Sequence, residues 1–212
     1  MSGAASDDFL TASEAGCPLV LIRHGPTDWT DEGRLQGRAD PPLSNQGREE
    51  VRSWRLPESV RRFAWQASPL QRAVETADLL APGLAVLEPC LMEMDWGNWE
   101  GRRLVDLRRD GGAAMAAKEA RGLDLLPPGG ESPRMVQDRL RPWLQIVGAA
   151  GRPVAAVTHK GVIRAVIALA TGWDMLGPAP ARVGMGTLQC FRVAPQGTVT
   201  TLRLDWPCGP PA

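Results

Sequence analysis

Pro18-Leu19-Val20-Leu21-Ile22-Arg23-His24-Gly25 and Pro153-Val154-Ala155-Ala156-Val157-Thr158-His159-Lys160-Gly161 follow one pattern. Each is a short apolar run containing β-branched residues, opened by proline and closed by a polar residue, a histidine and a nearby glycine. Such a run reads as a strand of a parallel sheet buried on both faces. His24 and His159 are the two histidines of the chain, and the pattern puts both at the carboxyl end of a strand. In open α/β sheets that edge carries the ligand crevice. Imidazole is also the side chain best suited to proton and phosphoryl chemistry near neutral pH.

Outward from these two strands, the chain alternates strand and helix signals. After the first comes a polar stretch over residues 25–42, longer than a simple connection and read as a functional loop. Ser44 is placed to cap a helix. Residues 62–67 read as a second strand, and Ser68-Pro69 as the start of a helix that stops at Pro82-Gly83. Residues 84–87 make a third strand, 102–120 are helical, and Ser132-Pro133 opens a helix reaching about residue 147. A further helix follows His159 over 161–170. Residues 187–193 and 198–204, joined through Gln196-Gly197, read as a hairpin. The alternation predicts an α/β fold, a three-layer sandwich whose mainly parallel central sheet is flanked by helices. The expected organisation is a flexible tail over 1–16 and a single catalytic domain over 17–212.

Composition narrows the partners. The chain has 212 residues and a formal net charge of zero, so no overall field attracts nucleic acid or an anionic membrane. Any anion site has to be built locally. Cys17, Cys90, Cys190 and Cys208 form no CxxC pair and no zinc-like spacing, so free thiols are expected. The first 16 residues hold acidic side chains and no apolar segment of the kind a secretory signal needs, and no apolar run is long enough to span a bilayer. A cytoplasmic protein, monomer or homodimer, is the expectation.

Arg23 next to His24 suits a dianionic phosphate, because a guanidinium holds two oxygens in a bidentate fork. The same fixed cation opposes a metal, and there is no HxH, HxxxH or HxxE cluster; neither metal nor cofactor is expected. Arg72 falls in the first turn of the helix opened by Ser68-Pro69, where it and the helix-start amides could face an anion. Segment 91–101 sets Glu93, Asp95 and Glu100 among Trp96 and Trp99. A carboxyl packed against indole is held protonated, as a general acid requires, and spacing alone leaves all three open for that role.

Taken together, Arg23-His24-Gly25-Pro26-Thr27, Gly33-Arg34-Leu35-Gln36-Gly37, Pro42-Leu43-Ser44, Ser68-Pro69-Leu70-Gln71-Arg72-Ala73-Val74-Glu75-Thr76-Ala77, the Glu93-to-Gly101 segment, Pro128-Gly129-Gly130-Glu131-Ser132 and Val157-Thr158-His159-Lys160-Gly161-Val162-Ile163-Arg164 resemble the histidine phosphatase superfamily, also called phosphoglycerate-mutase-like. The motifs run in the family's order over about residues 18–193. The resemblance implies that His24 is the nucleophile that becomes phosphohistidine, and that Arg23, Arg72 and His159 form the phosphate pocket. It also implies that Glu93 is the general acid. Pro26, Thr30 and Lys160 stand where many members have glutamate, a phosphate-touching asparagine and glycine. Thr30 and Lys160 are therefore carried as further phosphate-side positions, Lys160 as a rim cation for a second acidic group.

The expected activity is metal-independent hydrolysis of a small phosphate ester through phosphohistidine. A phosphoglycerate mutase-type transfer is the enzymatic alternative; the chain shows no long insertion after Glu93, which favours hydrolysis. A non-catalytic phospholigand-binding protein is the other, and it has no need of a carboxyl acid beside a nucleophile.

Overall fold

The computed structural model describes residues 8–11 and 16–209. In chain order the elements are β1 (Cys17–Arg23), α1 (Asp28–Asp31), α2 (Asn45–Ser53), α3 (Glu58–Arg61), β2 (Ala64–Ala67), α4 (Gln71–Leu80) and β3 (Val86–Leu87), followed by α5 (Leu104–Glu119), α6 (Pro133–Ala150), β4 (Val154–Thr158), α7 (Lys160–Thr171), β5 (Thr187–Val193) and β6 (Val199–Pro207). The strands form one six-stranded sheet in the order β3-β2-β4-β1-β5-β6. β3, β2, β4 and β1 pair in parallel, and β5 and β6 add an antiparallel hairpin at one side.

The apolar runs are continuous because both sheet faces are covered. Alternate residues of β1 point opposite ways: Leu19 and Leu21 join one core with Leu140 and Leu144 of α6 and Ile163 and Ile167 of α7. Val20 and Ile22 join the other, with Val51 of α2 and Ala73 and Ala77 of α4. All four β1 residues are fully buried, each contributing about 1.5–3 kcal/mol of transfer free energy.

Register does the positioning. β1 and β4 run parallel with Ile22 opposite Val157 and Arg23 opposite Thr158. The next residues, His24 and His159, therefore leave the sheet side by side. His24 N–H adds one more bond to the ladder, donating to Thr158 O at 2.9 Å.

Several elements differ from the sequence expectation. The long loop holds a one-turn helix, α1, closed by Thr27 and Thr30. The third strand shrinks to Val86–Leu87, whose side chains are exposed at the sheet edge, where there is no second neighbour to extend the ladder. α5 bends at Gly112, which has φ 47° and ψ −127°, outside the helical region. The helix expected from Ser68-Pro69 begins at Gln71 instead. Ser68 is occupied elsewhere, and the Gln71 N–H is capped from outside by Asp40 Oδ1 at 2.7 Å. Ser44 and Ser132 do cap α2 and α6, accepting from Gly47 and Met135 N–H. Within the segment read as a tail, Asp8–Leu10 form a 3-10 turn, Leu10 is buried, and Phe9 lies against Trp206 with ring centroids 5.4 Å apart. These residues pack on the domain, while 1–7 and 12–15 lie outside the described residues. No helix among the described residues is long and apolar enough to cross a membrane.

Candidate active site

His24 and His159 meet over the β1–β4 edge with ring centroids 5.1 Å apart and planes tilted by 54°. Both are buried. His24 Nδ1 lies 2.7 Å from the Gly25 carbonyl. A carbonyl only accepts, so Nδ1 carries the hydrogen and Nε2 keeps its lone pair. Burial, then the charges of Arg72 and Arg23, push the His24 pKa well below the usual imidazole value. Burial is the larger cause, and the two guanidinium charges add to it in the same direction.

His159 is tied through its other nitrogen: Nε2 lies 2.7 Å from Ser68 Oγ. Ser68 Oγ accepts the Leu70 N–H at 3.3 Å. When its own hydrogen goes to His159 Nε2, His159 carries its hydrogen on Nδ1. Burial, then Arg72 and His24, hold the His159 pKa well below its ordinary value.

The two arginines are fixed from behind. Arg72, fully buried, donates Nη1 to Ala39 O at 2.9 Å and Nη2 to Gly37 O at 2.8 Å, with Asp40 at 3.7 Å. Arg23 Nη1 donates to Val183 O at 3.3 Å. Arg23 Nε, Arg72 Nε and His159 Nδ1 are buried and have no partner among the described residues. An unmade hydrogen bond on a buried donor costs about 1–3 kcal/mol, so three in one site mark a place built for a multivalent acceptor.

Glu93 faces this cluster, and its charge is felt by both Arg23 and Arg72. It is held by Met94 N–H at 2.8 Å and by Gly161 N–H, which lies 3.1 and 3.2 Å from the two carboxylate oxygens. A Cβ on Gly161 would collide with Glu93 Oε1, so only glycine lets the α7 N-terminus come this close. Backbone N–H groups hold Glu93, and Trp96 and Trp99 stack on each other with ring centroids 6.2 Å apart. Asp95 Oδ1 accepts Gly97 N–H, and Glu100 accepts from Arg38 and Ala39 N–H, which fixes the loop whose carbonyls hold Arg72.

Sequence reasoning missed several supports. Ser68 is one. Another is Thr76, whose Oγ1 accepts Gly25 N–H at 3.0 Å and donates to Arg72 O at 2.7 Å, tying His24's neighbour to Arg72's helix. Arg139 donates to Cys90 O, Met92 O and Glu93 O and is paired with Glu131 at 3.1 Å, clamping the strand of chain that presents Glu93. Glu131 stood in a quoted motif without an assigned role. Gly25 has no positive φ; its missing Cβ makes room for Val51.

Two remaining positions stand apart. The Thr30 hydroxyl is engaged inside the loop with Thr27 and with Gln36 Nε2 at 3.0 Å. Lys160 is exposed at the rim; burial of its stem, then Arg23 and Arg164, lower its pKa. Among the described residues no group of three or more His, Cys, Asp or Glu is placed to hold a metal ion.

Comparison with known proteins agrees with this geometry. A glucosyl-3-phosphoglycerate phosphatase from Mycolicibacterium vanbaalenii is 34% identical over 201 residues, covering 83% of each chain. The solved mycobacterial glucosyl-3-phosphoglycerate phosphatase in complex with VO3 superposes with a TM-score of 0.71 at 27% identity, over 89% of this chain and 98% of that one. The alpha-ribazole phosphatase of Shigella flexneri gives 0.69 at 26% identity, over 89% and 96%. Other curated relatives are longer, and the match spans 43% of three of them. The family model of the histidine phosphatase superfamily (branch 1) matches residues 19–205, and the chain belongs to that superfamily.

Proposed function

We propose that this phosphatase hydrolyses small phosphate monoesters through a phosphohistidine on His24, without a metal. The observation that supports it most is the pairing of one free imidazole lone pair, His24 Nε2, with three buried donors that lack partners, Arg23 Nε, Arg72 Nε and His159 Nδ1. An acceptor with several anionic oxygens satisfies all three donors while its phosphorus meets the lone pair.

The steps balance. His24 Nε2 attacks phosphorus, the P–N bond forms, and the ester P–O bond breaks. Glu93, entering the step as the carboxylic acid, gives its proton to the departing alkoxide. Glu93, now a carboxylate, takes a proton from the water that attacks phosphohistidine; the P–N bond breaks, and inorganic phosphate and free His24 are regenerated. Arg23, Arg72 and the His159 N–H stabilise the charge on the equatorial oxygens throughout, the work a metal does elsewhere. Asp95 and Glu100 are read as structural because Asp95 closes its own loop through Gly97 N–H and Glu100 fixes the loop that holds Arg72, whereas Glu93, although also held by backbone N–H groups, acts on both Arg23 and Arg72.

A panel of phosphomonoesters assayed in chelator tests this reading, with p-nitrophenyl phosphate beside alkyl phosphates. Phosphate release undiminished by chelator is expected. Glu93→Gln should lose more on alkyl phosphates than on p-nitrophenyl phosphate, whose phenolate leaves unaided, with a gap within about 10 to 10⁴. Activity that needs added zinc or magnesium, or an equal loss on both substrates, contradicts the assignment.

A further inference from the structure

Outside the phosphate pocket, the N-terminal half of α7 and residues 179–184 enclose a groove of about 660 Å³. Lys160 and Arg164 line it from the helix, and Arg182 lines it from the facing segment. Lys160 and Arg164 are one helical turn apart, a spacing at which like charges repel and weaken a helix. None of the three has a carboxylate within ion-pair distance among the described residues, although Arg62, Arg102, Arg108, Arg109 and Arg134 are all matched to acidic partners. Arg164 is held against Trp173, its guanidinium carbon 4.8 Å from the ring centroid, so its position is set without a counter-ion. In a chain of zero formal net charge this is a local surplus of three cations, and no acidic residue lines the groove.

The groove adjoins the pocket through one hydrogen bond. Val183, on its wall, accepts the hydrogen bond from Arg23 Nη1. Lys160 follows His159 directly and feels Arg23 and Arg164 more strongly than Glu93. Lys160 thus stands between the second histidine and the groove, in the chain segment that both share.

We propose that Lys160, Arg164 and Arg182 form a second anion subsite, and that the preferred esters carry a second anionic group, carboxylate or phosphate, a few atoms from the ester oxygen. The inference rests on the phosphate pocket assigned above and adds the chemical class of the substrate. Charge-assisted bonds to a carboxylate or phosphate would supply the counter-charge that the three cations lack.

The test is calorimetric binding to full-length His24→Ala protein, which cannot form the adduct. The probes are propyl phosphate, 3-phosphonooxypropanoate and propane-1,3-diyl bisphosphate, with the corresponding six-carbon set for reach. The probes with a second anionic group should bind at least about tenfold more tightly than propyl phosphate at low salt, with the advantage shrinking as salt screens it. Arg182→Gln, at an exposed position, and Lys160→Met should each cut that affinity ratio at least about threefold. The carboxylate and bisphosphate arms separate the two sources of charge. Equal affinities in every set, or a ratio unchanged in both variants, overturn the subsite. Wild-type turnover is read separately: selective binding without hydrolysis leaves the subsite and removes the phosphatase reading. Hydrolysis of p-nitrophenyl phosphate without any charge preference removes the subsite alone.

Discussion

The two histidine corners are built from the same material and held in opposite ways. Both histidines follow a buried parallel strand, and the strands are in register. Yet His24 is anchored through Nδ1 to the carbonyl of the next residue, and His159 through Nε2 to a hydroxyl 91 residues away in sequence. The anchors decide the chemistry. A carbonyl forces the hydrogen onto the anchored nitrogen and leaves a lone pair on the other, as a nucleophile needs. A donating hydroxyl leaves the hydrogen on the free nitrogen, as an oxyanion donor needs. On the proposed function, one sequence pattern thus serves two roles because the partner behind each ring differs.

If His159 is a donor and not a nucleophile, His159→Ala should lower turnover about a hundredfold or more with little change in melting temperature, comparable with deleting one preorganised donor. A collapse in stability with unchanged activity per folded molecule would instead make it a core residue. Ser68 sharpens the comparison from behind. Ser68→Ala removes the group that fixes the His159 tautomer and should cost about tenfold in kcat, as loss of an outer hydrogen-bond partner does, while Ser68→Thr restores most of it. The readout that separates positioning from packing is the ¹⁵N chemical shift of His159: in Ser68→Ala its ring nitrogens should move toward a mixed tautomer, with His24 unmoved. Unchanged His159 signals would contradict the role.

The smallest effect is on stability. Both imidazoles are neutral in the fold because burial and the arginines depress them. In the unfolded chain they take up protons as pH falls through about 6.5. The unfolded state then binds more protons, so the histidines contribute a loss of stability that starts near that pH and grows on acidification until the folded pKa values are reached. The melting temperature should fall between pH 7 and 5, and inorganic phosphate, the proposed ligand of the pocket, should offset part of the fall at each pH. A melting temperature that rises over this interval breaks the account of two buried neutral rings.

Much of this was legible in the sequence, and the rest was hidden for identifiable reasons. The strand-then-histidine pattern placed His24 and His159 at one sheet edge because parallel strands buried on both faces leave a continuous apolar signature. Arg72 was found because it follows a helix start, although that start lay two residues further on and was capped by Asp40, a residue no local rule connects to Gln71. Ser68 was read as a cap by its spacing, and tertiary contact gave it to His159 instead. Arg139 and Thr76 look like ordinary helix residues; their work depends on loops distant in sequence. The backbone support of Glu93 is hidden because Gly161, on another element, supplies a bond that holds the carboxylate.

The central claim is the difference between the two rings, and rapid quench with ³²P-labelled substrate tests it most directly. Wild-type protein should yield an acid-labile, alkali-stable phosphoenzyme within one turnover. His159→Ala should still form that adduct, more slowly, and His24→Ala should form none. Label on His159, or an adduct that survives in His24→Ala, would contradict the account.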